Sequence, residues 1–107
     1  MSACSQTAND VVSVIGILKF KPENRQEIVN FLANDETGLK LTRKYALSVE
    51  CRYSMDDDET IYMWAKYPSE AVYEEYKNMR INSGFWGPWM NKMTAPPQFI
   101  RLSNESC

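Results

Sequence analysis

The stretch Ala46–Tyr67, ALSVECRYSMDDDETIYMWAKY, decides how the rest of the chain is read. Its first part alternates: Leu47, Val49, Cys51 and Tyr53 share one face, and Ser48, Glu50, Arg52 and Ser54 share the other. Thr60–Tyr67 alternates as well, with Ile61, Met63, Ala65 and Tyr67 opposite Tyr62, Trp64 and Lys66. Period two in consecutive segments predicts two strands, and the acidic run Asp56-Asp57-Asp58-Glu59 between them is their turn. A calcium-binding EF-hand loop needs a glycine and a closing glutamate at fixed places. This run has neither, so it reads as a solvated hairpin loop.

Working outward, Pro68-Ser69 closes the hairpin, and Ser69 is an N-cap residue for a following helix. Val72, Tyr76 and Met79 recur at helical spacing, as do Tyr73, Tyr76 and Arg80, so one face is both aromatic and basic. Gly84 and Gly87-Pro88 break this helix and leave Phe85, Trp86 and Trp89 on a short bent segment. Side chains of this size bury about 150–250 Å² each and need a concave apolar surface opposite them. The tract Tyr73–Trp89 is therefore read as one wall and the lid of a pocket over a small sheet. The alternative is that it is only the core-facing side of a helix and its exit loop. A loop over Lys92–Pro97 and a last short strand over Gln98–Leu102 follow.

On the other flank, Leu39–Lys44 reads as a further helical turn or two, separated by Asn34–Gly38 from a helix that opens at Pro22. Glu23 and Glu27 suit its first turn, and Ile28, Phe31 and Leu32 form its apolar stripe, with Arg25, Gln26 and Asn30 facing water. Asp10–Phe20, DVVSVIGILKF, is a strand apolar on both faces and therefore covered on both sides. The order β-α-β-β-α-β predicts an α+β fold of the ferredoxin-like, split βαβ kind, with helices on one face of a four-stranded antiparallel sheet. The second sheet face needs its own cover, and a twofold homodimer packing sheet against sheet supplies it. Residues 1–9 read as a loose tail, 10–103 as a single domain and 104–107 as a second tail.

Composition narrows the function. With 107 residues, 44% of them hydrophobic, the chain builds one core-forming domain. A net charge of −2 offers no basic stripe to nucleic acid, and no apolar run approaches the ~18–20 residues of a membrane span. The N-terminal residues lack the basic start and apolar run of a secretory signal. Three cysteines, with no pair at metal-ligand spacing, suggest a reduced cytoplasmic protein without a metal site. There is no histidine, which excludes Ser-His-Asp and Cys-His nucleophile systems, HExxH zinc sites and histidine-ligated haem. Neither GxGxxG nor a P-loop is present.

At this point the sequence resembles the antibiotic biosynthesis monooxygenase-like family of the dimeric α+β barrel superfamily. The resemblance rests on Thr42-Arg43-Lys44-Tyr45, on YPSEAVYEEY from Tyr67 to Tyr76, on Tyr76-x-x-Met-Arg-x-x-Ser-Gly84, and on Pro96-Pro97 before a strand. It spans about Val11 to Leu102 and implies the dimeric barrel. It also implies cofactor-free oxidation of flat aromatic, polyketide- or quinol-like substrates. Many members of that family carry E-x-W on the third strand and a histidine on the next helix. Here Ala65 and Tyr67 hold the strand positions, and Tyr76 falls where the histidine would.

Three readings follow. In a cofactor-independent monooxygenase, the substrate's own carbanion reduces oxygen in a dry cavity; Tyr76 and Arg80 are then the catalytic candidates, with Arg80 holding a developing oxyanion. In a non-catalytic binder of an elongated apolar molecule such as a fatty acid, Arg43 or Arg80 pairs with the ligand's carboxylate. In a structural dimer all the aromatics are core. The ligand-binding set under either pocket reading is Arg43, Tyr45, Tyr62, Trp64, Tyr76, Arg80, Trp86 and Trp89. Within the protein, Arg80's partner is expected to be Glu75 or Glu50, and Arg43 is a candidate cap at the end of the first helical region.

Overall fold

A computed structural model describes residues 10–34 and 36–105. The proposed N-terminal tail and the last two residues of the chain lie outside them. The elements are β1 (Val12–Lys19), a 3-10 turn (Pro22–Asn24), α1 (Arg25–Asn34), α2 (Leu39–Thr42), β2 (Ser48–Tyr53), β3 (Thr60–Tyr67), α3 (Glu70–Asn82), α4 (Gly87–Met90) and β4 (Gln98–Leu102). The four strands form one antiparallel sheet in the order β2-β3-β1-β4. This is the ferredoxin-like arrangement that the element order predicts.

Local chemistry fixes the hairpin. Asp57 accepts hydrogen bonds from the backbone N–H groups of Glu59 and Thr60, each at 2.8 Å, and from Thr60 Oγ1 at 3.1 Å. These bonds, the one from Glu59 foremost, lower the pKa of the Asp57 carboxyl. The acidic run is thus a self-bonded turn. Ser69 caps α3, its Oγ accepting from Val72 N–H at 3.2 Å.

Register then sorts the faces. Val14, Arg101, Ala65 and Val49 form one cross-strand row, and Gly16, Phe99, Met63 and Cys51 form the next row on that face; both face the helices. On the opposite face, Ile100, Ile15, Trp64 and Glu50 form one row, and Gln98, Ile17, Tyr62 and Arg52 another. No helix among the described residues covers that face, and Trp64 and Tyr62 are 48% and 44% exposed. Period two predicts this split, because neighbouring residues of a strand must point to opposite sides.

The helix side carries the core in two pieces. One comprises Val14, Leu39, Val49, Ala65, Tyr67 and Tyr73; the other comprises Leu18, Phe20, Ile28, Ile61 and Met93. The chain after α4 is stitched to the end of β1. Thr94 N–H donates to Lys19 O and Lys21 N–H donates to Lys92 O, each at 2.9 Å. Lys92 also pairs with Glu27 of α1 at 2.5 Å.

Candidate functional site

Between the two core pieces lies a cavity of about 80 Å³, measured as the space open to the centre of a water-sized sphere. By that measure one water takes roughly 10–15 Å³, so the hollow holds several. The floor is β1 and β3, where Gly16 and Ala65 contribute little or no side chain. Phe31 of α1 and Tyr73, Tyr76 and Arg80 of α3 form walls, and Phe85, Trp86 and Trp89 add a further side, leaving the cavity partly open. Phe31 ties the last group down, with ring centroids 4.6 Å from Trp89 and 5.7 Å from Phe85. Gly84, at φ +73°, supplies the turn that brings this segment back over the sheet.

Arg80 is 5% exposed and has no carboxylate within ion-pairing distance among the described residues. The expected partners are elsewhere: Glu50 pairs with Arg52 on the sheet's outer face, and Glu75 is exposed. Arg80 instead donates through Nε to the Tyr76 hydroxyl at 2.8 Å. Nη2 donates to Gly38 O at 3.0 Å and to Thr42 Oγ1 at 3.1 Å, and Nη1 donates to Thr37 O. Phe85 covers one face of the guanidinium, with the ring centroid 4.1 Å from Cζ. A guanidinium so engaged has no free fork for a ligand carboxylate. Its bonds pin the α1–α2 connection to α3, and Gly38 is required there because a Cβ would stand 2.6 Å from Phe31 O.

Tyr76 is the focus of this network. Its hydroxyl lies 2.7 Å from Thr42 Oγ1 and accepts from Arg80 Nε. Two arrangements satisfy this pair: Thr42 Oγ1 donates to Tyr76, leaving the Tyr76 proton to point elsewhere, or Thr42 donates to Gly38 O at 3.4 Å and accepts from Tyr76. Tyr67 is a second polar group in the lining. The residue is 3% exposed, and its hydroxyl makes no hydrogen bond to another described residue. No fully sealed side-chain polar atom lacks a partner among the described residues, so the Tyr67 hydroxyl borders open space. Burial raises the pKa of this phenol well above the ordinary tyrosine range; Tyr76 and Tyr73 add to the effect and Arg80 opposes it. Tyr67 is therefore a standing donor and not a base. Tyr73 is shifted upward too, again chiefly by burial.

The structure brings Tyr76, Arg80, Trp86 and Trp89 together around the cavity and separates the other four candidates from it. Tyr62 and Trp64 are on the outer face of the sheet. Tyr45 stands behind the wall, its ring 5.4 Å from that of Tyr76. Arg43 is the exposed C-cap of α2. Sequence reasoning did not place Tyr67, Thr42, Phe99 and Gly16 in the site. Alternation put Tyr67 on the inner face of β3, and that signal was available. Nothing local marks Thr42 as the partner of residues 34 and 38 positions away.

No family model matches the sequence. No curated protein matches it either. Solved structures do match over nearly the whole chain. A conserved protein from Methanosarcina mazei Go1 superposes with a TM-score of 0.76 at 13% identity, covering 92% of this chain and 96% of that one. The monooxygenase from the gene ActVA-Orf6 of Streptomyces coelicolor, in complex with nanaomycin D, superposes with a TM-score of 0.67 at 14% identity, covering 99% and 96%. An antibiotic biosynthesis monooxygenase gives 0.69 at 11% identity, covering 86% and 96%. The chain shares the fold of these proteins; identity this low carries the fold and nothing further. No helix among the described residues is long and apolar enough to cross a membrane.

Proposed function

We propose that this chain is a cytoplasmic, homodimeric, cofactor-independent monooxygenase that oxidises a flat phenolic or enolic compound of polyketide or quinol type. The observation that carries the reading is the apolar hollow beside a phenol, Tyr76, held from behind by a buried guanidinium. In such a reaction an activated methylene loses a proton to water, its carbanion gives electrons to O₂, and the protons end on the departing oxygen, so that CH₂ and O₂ become a carbonyl and water. The largely apolar lining gives the carbanion a less polar setting than bulk water. The Tyr76 O–H, backed by Arg80 Nε and Thr42, donates to the substrate oxygen where enolate charge gathers, and the Tyr67 O–H is a second donor. The resemblance of fold to a monooxygenase solved with nanaomycin D supports a flat aromatic substrate.

A non-catalytic binder is the second reading, favoured by a lining that holds no carboxylate among the described residues. Its ligand would carry a neutral oxygen and not a carboxylate, because four of the five Arg80 N–H donors are already engaged and no fork of two remains. Dimer formation is supported by Ile15, Ile17, Tyr62, Trp64 and Ile100, an apolar strip on an uncovered sheet face. Oxygen consumption with 1,8-dihydroxyanthrone and no added cofactor tests the enzyme reading, with the anthraquinone product followed by its absorbance. Turnover that falls about a hundredfold in Tyr76→Phe is expected if the hydroxyl stabilises the enolate. Binding of the anthrone with no oxygen uptake above the buffer blank would leave the binder alone.

A further inference from the structure

We infer that Thr42 is the positioning residue that turns the Tyr76 proton into the hollow, so that Tyr76 takes a ligand by a carbonyl oxygen and not by a hydroxyl. This rests on the reading of the hollow as a ligand site. Among the compounds proposed above, it selects the enolisable ketone over its enol or a quinol.

Thr42 ends α2, is 1% exposed and lines the cavity. A hydroxyl so deeply buried must place its one proton on an acceptor. Two lie within reach, the Tyr76 hydroxyl at 2.7 Å and Gly38 O at 3.4 Å. Gly38 O is already occupied. It accepts from Arg80 Nη2 at 3.0 Å, from Leu41 N–H at 3.1 Å and from the N–H of Thr42 itself at 3.3 Å, three donors for two lone pairs. The Thr42 hydroxyl is the most distant of the four donors around that carbonyl. The bond at 2.7 Å is made whichever partner donates, so the crowding at Gly38 decides its direction. Thr42 donates to Tyr76.

The Tyr76 oxygen then accepts from Thr42 and from Arg80 Nε at 2.8 Å, which fills both of its acceptor positions. An incoming O–H or N–H finds no lone pair there. The Tyr76 proton, in turn, has no other acceptor within hydrogen-bond distance among the described residues, and its side chain borders the hollow. A ligand oxygen that only accepts completes the cluster. A ligand that donates at this point competes with Thr42 for one lone pair and drives the Thr42 proton back to the crowded carbonyl. Such a donor is left to the other phenols of the lining, Tyr67 and Tyr73.

The test uses the full-length chain and two neutral fused bicycles, 1-indanone, whose carbonyl only accepts, and indole, whose N–H only donates, with affinities from isothermal titration calorimetry. Tyr76→Phe is expected to weaken 1-indanone by about tenfold, the scale of one buried hydrogen bond, and to leave indole within about twofold. Thr42→Val removes the hydroxyl and frees a lone pair on Tyr76, so it is expected to shift the ratio of the two affinities toward indole by about fivefold or more. Thr42→Ser keeps the hydroxyl and should restore the wild-type ratio. Thr42→Val also takes an acceptor from Arg80 Nη2; should that variant not fold, the Tyr76→Phe comparison decides alone. Indole weakened as much as 1-indanone by Tyr76→Phe, or a ratio unmoved in folded Thr42→Val, overturns the proposal while the hollow stands as a ligand site. If neither probe binds wild type, the cavity reading fails and takes this inference with it.

Discussion

Replacing Arg80 by methionine keeps most of the side chain's length and apolar stem but removes the charge and every donor. Four hydrogen bonds disappear, to Tyr76, Thr42, Gly38 and Thr37, and their acceptors face a largely buried site. Hydrogen bonds from charged donors contribute about 1.5–3 kcal/mol each but do not add, and breaking a buried charged network costs about 3–5 kcal/mol in total. The apolar methionine offsets about 1 kcal/mol of that, which leaves a loss of about 2–4 kcal/mol. For a domain of this size the loss lowers the melting temperature by about 10–25 °C. Urea unfolding followed by tryptophan fluorescence measures it as a lower midpoint at unchanged slope. Arg80→Lys keeps the charge without the planar fork and should fall between the two. A methionine variant within 1 kcal/mol of wild type would refute the reasoning, because the carbonyls and hydroxyls would then have been served by water all along.

Two further outcomes follow from other parts of the molecule. Trp64→Arg puts a cation in the middle of the apolar outer strip and is expected to convert a dimer into a monomer, seen by light scattering, with the dissociation constant raised by about a hundredfold or more; an unchanged mass would remove this face from the interface. The Cys51 thiol is pushed up from 9.0 to about 11, chiefly by burial and against the opposing pull of Arg43 and Arg52. In a background with Cys4 and Cys107 replaced by serine, it should react with a disulfide reagent at pH 8 about a hundredfold more slowly than in the unfolded chain, because its thiolate fraction is lower by that factor. The same shift favours the folded state below pH 9, and that contribution is lost as pH rises from 9 to 11 and the unfolded chain releases its proton first. Labelling at the unfolded rate would show that Cys51 is not shielded.

What the sequence made legible was periodic. Alternation in β2 and β3, the Ser69 cap and the helical stripe of α3 are local signals, and each element stands where its signal put it. The site was harder to read for two physical reasons. Trp64 and Tyr62 carry the apolar bulk expected of a pocket, yet alternation ties them to the face away from the helices, and the small residues Gly16 and Ala65 face the hollow instead. A cavity is made of side chains that are missing, which no single residue announces. Two of the four partners of Arg80 were illegible for a different reason. They are backbone carbonyls in the α1–α2 connection, 42 and 43 residues away, and any residue type could have supplied a carbonyl there. Only the requirement for glycine at position 38 left a trace in the sequence.

The placement of Arg80 bears on whether the hollow is incidental. A buried cation solvated by neutral groups is a costly way to fill space, and well-packed hydrophobic residues do it at lower free energy. Cores also tend to close over gaps when their surroundings can relax, which is why the cost of a cavity varies so much from site to site. Here relaxation is opposed by a strut: the guanidinium spans from α3 to the Thr37–Gly38 connection and is stacked under Phe85, one of the rings that border the cavity. Moving α3 toward the sheet would break three hydrogen bonds of the guanidinium, to Thr37 O, Gly38 O and Thr42 Oγ1, and each broken one would leave a polar group in an apolar setting. The same charge sits one hydrogen bond behind the Tyr76 hydroxyl. A scaffold needs neither feature. A site proposed to stay open and to meet a developing negative charge uses both, which is the support for Tyr76 as the proposed centre.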